Sequence, residues 1–260
     1  MIRFFERETA IVATIEEAQA QARMDLAACY RLCAHFGYNE GIDNHLTLMV
    51  PGFSDRFYLA PFGLHWSEVK ASDLLSLDFE GQIRSGRGPV EDTARYIHMP
   101  VHRLTRAPCV LHTHMPYATA LTMLENPKLE MVVQSSLLFH EDISYEATYN
   151  GFAYDAGEGE RLAGFLGRKS VAFLQNHGVL VLGNSAAQAF ERLYFLERAA
   201  QAQVLALSTG RTLRRIPDKV VAATAAQIKS GSQVDGKERH DLHFAALKRI
   251  LDRLDPDYIR

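Results

Sequence analysis

Short apolar segments, each closed by Pro, Gly or a charged turn, alternate with stretches of helical periodicity along most of this chain. Segments of four to six residues are strand-length, and runs that short between helices leave one economical arrangement, helices laid against a sheet. His45 to Val50 ends at Pro51-Gly52, Arg56 to Ala60 at Pro61-Phe62-Gly63, and Leu75 to Phe79 at Glu80-Gly81. Cys109 to His114, Ser170 to Leu174 and Val179 to Leu182 read as further strands. Helices are predicted over residues 6–36, Glu68 to Leu74, Glu91 to Leu104, Tyr117 to Leu124, Glu158 to Leu166 and Ala186 to Leu207. Residues 84–89 read as a flexible connection, and Leu129 to Tyr154 as alternating strand and loop. Gly210 closes the long helix, and the more polar tail holds helices over Asp218 to Ile228 and His240 to Leu254. The pattern predicts an α/β fold.

Composition narrows the function classes. With 260 residues, 47% hydrophobic and 23% charged, the chain can bury a sizeable core. Its net charge of −3 gives no electrostatic reason to grip a phosphate backbone, so nucleic-acid binding is disfavoured. The longest apolar runs are too short for a membrane span, and Met1 to Thr9, with mixed charge, does not read as a signal peptide. Three cysteines, Cys29, Cys33 and Cys109, imply no disulfide framework. The expected location is a reducing cytoplasm.

Chemistry concentrates at two strand ends. In Leu111-His112-Thr113-His114 the alternation of strand side chains sends His112 and His114 to one side, a pincer for a divalent cation. Leu174-Gln175-Asn176-His177-Gly178 ends a second apolar segment in a histidine, beside a glycine that permits close approach. If both strands lie in one sheet, three imidazoles converge and leave a fourth metal position open, the catalytic arrangement. A His-x-His pair alone is a weak signal; two such strand ends carry more. His98 and His102 have helical spacing, but Pro100 lies between them, and the simpler expectation is His98 at the helix–sheet interface with His102 solvated. His45 and His65 lie beside turns and could contribute to a pocket.

The order of these signals resembles the class II aldolase/adducin family over roughly residues 20–210. The resemblance is carried by Gly41-Ile42-Asp43-Asn44-His45-Leu46-Thr47, Leu59-Ala60-Pro61-Phe62-Gly63, Ala71-Ser72-Asp73-Leu74, Asp78-Phe79-Glu80-Gly81, Ile97-His98, His112-Thr113-His114, Asn176-His177-Gly178 and the long helix from Ala186 to Leu207. It implies a single three-layer α/β/α domain with a central, mostly antiparallel sheet, over residues 1–210, with 211–260 as a C-terminal helical extension. It also implies a divalent metal held by His112, His114 and His177, usually Zn2+, with Mn2+ or Fe2+ as alternatives. A cyclic homotetramer with active sites between subunits is the common assembly.

Two departures from the family pattern bear on mechanism and substrate. The aldolases carry an acid/base glutamate four residues before the helix histidine, where this chain has Ala94. Glu91, about one turn earlier, is the candidate, with a helix N-terminal carboxylate as the alternative reading. Tyr145 or Tyr149 from a neighbouring subunit could donate a proton, or could simply be packed aromatics. The phosphate-binding hydroxyls are also depleted. Gly41 and Phe62 stand where hydroxyls are expected, Asp92 would repel a phosphate, and Thr93 alone retains a hydroxyl, while Asn44 and Gly63 persist. The expected substrate is therefore a small, non-phosphorylated oxygenated acid or carbonyl compound. Its carbon–carbon bond would be cleaved by retro-aldol reaction or decarboxylation through a metal-stabilised enolate. Other readings are a sugar-phosphate aldolase or epimerase, an Fe(II) oxygenase of the same fold, and a non-catalytic adducin-like module.

Overall fold

A computed structural model describes the backbone of residues 2–231 and 233–260, with side chains described from residue 14 onward apart from Ala156. In chain order the elements are α1 (Ile2–Phe36), β1 (His45–Met49), β2 (Arg56–Leu59), β3 (Leu75–Asp78), β4 (Ile83–Ser85), α2 (Asp92–Thr105), β5 (Cys109–Thr113) and α3 (Pro116–Thr122). There follow β6 (Ile143–Tyr145), α4 (Ala156–Leu166), β7 (Val171–Leu174), β8 (Gly178–Gly183) and α5 (Ala186–Leu207). The tail forms α6 (Asp218–Ser230), a small ribbon of β9 (Gln233–Val234) and β10 (Lys237–Glu238), and α7 (Arg239–Leu254).

Eight strands form one sheet in the order β4-β3-β2-β1-β5-β8-β7-β6. Every described pair in it is antiparallel except β6 with β7. Period-two alternation divides the sheet between two helical layers. Leu46, Leu48, Cys109, Leu111, Val179 and Val181 join the core shared with α1, α5 and α7. Val110, Ala172, Leu174, Leu180 and Leu182 face the other way, onto Ile97 and Val101 of α2 and Leu162 and Leu166 of α4. The expected α/β/α sandwich with a mostly antiparallel sheet is what forms. In the tail, Phe244, Leu247 and Leu251 of α7 pack into the first of these cores. The Arg31 guanidinium of α1 pairs with Asp255 and Asp257.

Local expectations failed where short-range pattern was the only guide. Within Glu68 to Leu74 the only helical piece is Ala71–Asp73, a single 3-10 turn. The connection expected at 84–89 begins as the exposed edge strand β4. The segment from Leu129 to Tyr154 holds one 3-10 turn, Gln134–Phe139, and one strand, β6. Pro100 does not break α2. It cannot donate to the Tyr96 carbonyl, and Gly159 of α4 packs directly against that carbonyl, where a Cβ would come within 1.7 Å.

Candidate metal centre and cavity

β5 is central in the sheet, and its pairing with β8 sets His112 opposite Leu180. His112 is buried, and its Nδ1–H donates to the Val179 carbonyl at 3.0 Å, which leaves Nε2 as a lone pair. His114 lies one residue beyond the strand. Its backbone N–H donates to Asn44 Oδ1 at 3.0 Å, and its Nδ1 contacts the Glu40 carboxylate. His114 Nε2 is buried and meets no partner. His177 arrives from the turn joining β7 to β8. There Asn176 adopts φ +53°, and the His177 N–H donates to the Leu174 carbonyl at 3.1 Å.

The three rings meet. Their centroids are 5.1 Å apart for His112 and His114, 4.8 Å for His112 and His177, and 4.8 Å for His114 and His177. One ring nitrogen from each lies within 4.8 Å of those from the other two. Gly178 makes this possible, because a Cβ there would come within 2.6 Å of both His114 Cδ2 and the Thr113 carbonyl oxygen. Burial, reinforced by His177, His45 and His114, holds the His112 imidazole well below its ordinary pKa; burial and His114 push His177 down to about 4. Both are therefore neutral at neutral pH, as metal ligation requires. An orphaned buried nitrogen, two neutral imidazoles and an Nδ1 tied to a carboxylate are the donor set of a divalent cation, and the residues present fit one.

The triad borders a cavity of about 940 Å³, also lined by Asn44, Phe62, Glu91, Thr93 and Tyr149. Glu91 is the N-cap residue of α2, yet its side chain caps nothing. Burial raises its carboxyl above the ordinary value, and the Thr93 hydroxyl donates to its Oε1 at 2.6 Å. Ala94, where the resemblance expects a glutamate, is buried against Phe57, Leu59, Leu75 and Leu77. Asn44 holds φ +72° and spends its side-chain oxygen on the His114 backbone. Phe62 stands half open at the cavity wall, and Gly63 turns the chain behind it at φ +100°.

Tyr145 stands apart from this cavity within its own chain. It packs edge-on against Phe173 on the α5 side of the sheet, and its hydroxyl accepts from the Leu129 N–H at 3.3 Å. Tyr149 is the tyrosine that reaches the triad, 6.1 Å from His177 between ring centroids. His102 is a correction, for it is buried rather than solvated, with its ring against Phe57. Sequence reasoning missed Glu40. Its only signal was a carboxylate in the polar turn before β1, 74 residues away from the histidine it contacts.

Comparison with known proteins bears on the family and the fold. Residues 24–204 match the family described as Class II Aldolase and Adducin N-terminal domain. A Pseudomonas aeruginosa protein named "Putative aldolase class 2 protein" is 35% identical over 250 residues, 95% of each chain. Mouse alpha-adducin is 30% identical over 257 residues, covering 92% of this chain and 34% of adducin. The solved L-fuculose 1-phosphate aldolase from Glaciozyma antarctica PI12 superposes with a TM-score of 0.82 at 25% identity, covering 95% of each chain. With the matched segment spanning both strand ends and most of the long helix α5, the chain belongs to the class II aldolase and adducin family.

Proposed function

We propose that the chain is a divalent-metal-dependent lyase that cleaves a carbon–carbon bond, by retro-aldol reaction or decarboxylation, in a small non-phosphorylated oxygenated acid or carbonyl compound. The observation that carries this reading is the His112–His114–His177 cluster at the cavity, with Nε2 of His114 buried and unpartnered. In the proposal these three residues hold the cation, Zn2+ first, with Mn2+ and Fe2+ as alternatives. When bound, such a cation supplies Lewis acidity toward a substrate carbonyl oxygen.

The chain's own residues supply the rest. Bond cleavage leaves an electron pair on carbon, and a proton must reach it. Glu91, half-buried with its carboxyl raised, faces the cavity and is the assigned acid/base. Thr93 orients it through the 2.6 Å hydrogen bond. Asn44 lines the wall and Gly63 turns the chain behind Phe62, which favours a flatter or less polar ligand than a sugar phosphate, and the exposed carboxylate of Asp92 repels a phosphate group. Tyr145 keeps its assignment as a proton donor only toward a neighbouring subunit. Exposed Met123, Phe152 and Tyr154 around the cavity leave an apolar rim that a second copy could cover, in keeping with a homo-oligomer, a tetramer in this proposal.

A non-catalytic adducin-like module is the second reading, and Ala94 in place of the acid/base glutamate favours it. Metal analysis separates the two. His112→Ala and His177→Ala are expected to abolish stoichiometric metal and metal-dependent cleavage across a panel of hydroxy and oxo acids, while the far-UV spectrum persists. Full metal content in either variant would remove the ligand assignment, and a parent protein indifferent to chelator would favour the module.

A further inference from the structure

Behind the cavity wall runs a file of side chains that the lyase reading does not use. β1 turns His45 and Thr47 toward α2, and α2 turns His98 and His102 back toward the sheet. His45 Nδ1 lies 2.6 Å from His98 Nε2, and the Thr47 hydroxyl contacts His98 Nδ1. The same hydroxyl lies 2.8 Å from His102 Nε2, and His102 Nδ1 lies 2.7 Å from the Ala107 carbonyl oxygen. All three rings are buried. Among the described residues none of their nitrogens bonds to a carboxylate. Burial, reinforced by His102 and His112, holds His98 well below its ordinary pKa, and burial outweighs the bond to the Ala107 carbonyl to take His102 down to about 4.

The direction of every bond follows from one end of the file. A carbonyl oxygen can only accept, so neutral His102 carries its proton on Nδ1 and offers a lone pair at Nε2. Thr47 has one proton and two acceptors in reach, the Val110 carbonyl at 3.3 Å and the His102 lone pair at 2.8 Å; the shorter contact takes the proton. The Thr47 oxygen then accepts from Nδ1–H of His98, whose Nε2 is left as an acceptor. That acceptor is filled by Nδ1–H of His45. The last nitrogen, His45 Nε2, is thus a lone pair at the cavity end of the file. It lies 3.4 Å from Thr93 Oγ1, whose own proton goes to Glu91 Oε1.

We infer that this one-way relay, anchored on the Ala107 carbonyl, makes His45 a fixed hydrogen-bond acceptor in the wall beside the histidine triad, and that it selects substrates presenting a hydroxyl there over the corresponding oxo compounds. The relay stands by itself; only the substrate half rests on the lyase reading. His45 lines the cavity together with His112, and their ring centroids are 5.0 Å apart. A hydroxyl satisfies the buried lone pair, whereas a carbonyl oxygen sets acceptor against acceptor. A site built around one hydroxyl hydrogen bond discriminates by at least about tenfold.

Nitrogen-15 NMR of histidine-labelled, Zn2+-supplemented full chain reads the tautomers directly. At neutral pH, His45, His98 and His102 are each expected to carry the proton on Nδ1 alone. Thr47→Val removes the turning point, and His45 and His98 should then spread over both tautomers, while Thr47→Ser restores the single form. A proton on Nε2 of His45 in the parent chain, or a mixture there, overturns the relay whether or not the valine variant folds. For the substrate half, lactate and pyruvate are titrated by calorimetry. Lactate should bind at least about tenfold tighter to the parent, and Thr47→Val should lose that preference. Equal binding of the two, or binding of neither, removes the selecting role. Absence of metal-dependent cleavage with His45 still in one tautomer would take down the lyase reading alone.

Discussion

Gly178→Ala tests whether the triad depends on a missing side chain. The added methyl would come within 2.6 Å of His114 Cδ2 and of the Thr113 carbonyl oxygen. Ordinary contact begins near 3.4 Å, so each neighbour must retreat by 3.4 − 2.6 = 0.8 Å. The carbonyl belongs to the β5–β8 ladder and cannot swing aside, while His114 is tied at its backbone N–H by Asn44 and at Nδ1 by Glu40. Cδ2 adjoins Nε2 in the ring, so the displacement passes to the proposed ligand atom, and metal sites tolerate only about 0.2 Å. We expect an overpacking cost of ~1–3 kcal/mol in urea denaturation and a loss of about 10–100-fold in Zn2+ affinity by chelator competition, the range for disturbed ligand orientation. Gly178 lies outside the left-handed region, so the effect is steric rather than conformational. Gly164→Ala, with nothing within 4 Å of the new methyl, is the control. Parent-like stability and Zn2+ affinity in Gly178→Ala would show that the ring has room to spare, and the proposed geometry would fail.

Other residues carry predictions of their own. Asn44→Gly keeps a backbone able to hold φ +72° but strips the acceptor from the His114 N–H; urea melts should show a loss of ~1–3 kcal/mol, with weaker Zn2+ binding. Glu91→Gln should retain stoichiometric metal and slow turnover by about 10²–10⁴-fold; wild-type rates would move the acid/base role elsewhere. Burial alone would raise the Asp78 carboxyl, but the N–H groups of Gln82 and Glu80 and the Arg84 guanidinium outweigh it and hold the pKa below the ordinary value. The stability this contributes is fully present above the unfolded carboxylate pKa and is lost as pH falls through the lower folded value. Asp78→Asn should therefore be less stable than the parent at neutral pH, and the gap should close in acid; a constant gap across that range would refute the assignment.

Side-chain parity explains much of what could be read without coordinates. His112 shares its face of β5 with Val110, so its direction follows from alternation alone. Tyr145 and Phe173 meet because β6 and β7 run parallel in register, which fixes them on one face, away from the triad. Parity does not say which strands are neighbours. The convergence of His177 on His112 and His114 depends on β5 pairing with β8, where His112 meets the Val179 carbonyl 67 residues further along the chain, and His114 depends on Glu40 and Asn44 from the turn before β1.

The amino-acid order by itself determined the layered α/β architecture, the strand-end placement of the histidines and the family, because these follow from local periodicity, turn residues and motif spacing. Only the tertiary structure decided that His102 is buried, that His98 links it to His45 through Thr47, and that Tyr149 rather than Tyr145 reaches the triad within one chain. Those outcomes depend on which helix face meets which strand. That choice is made by burying apolar surface across the whole sheet, and no local window of the chain contains it.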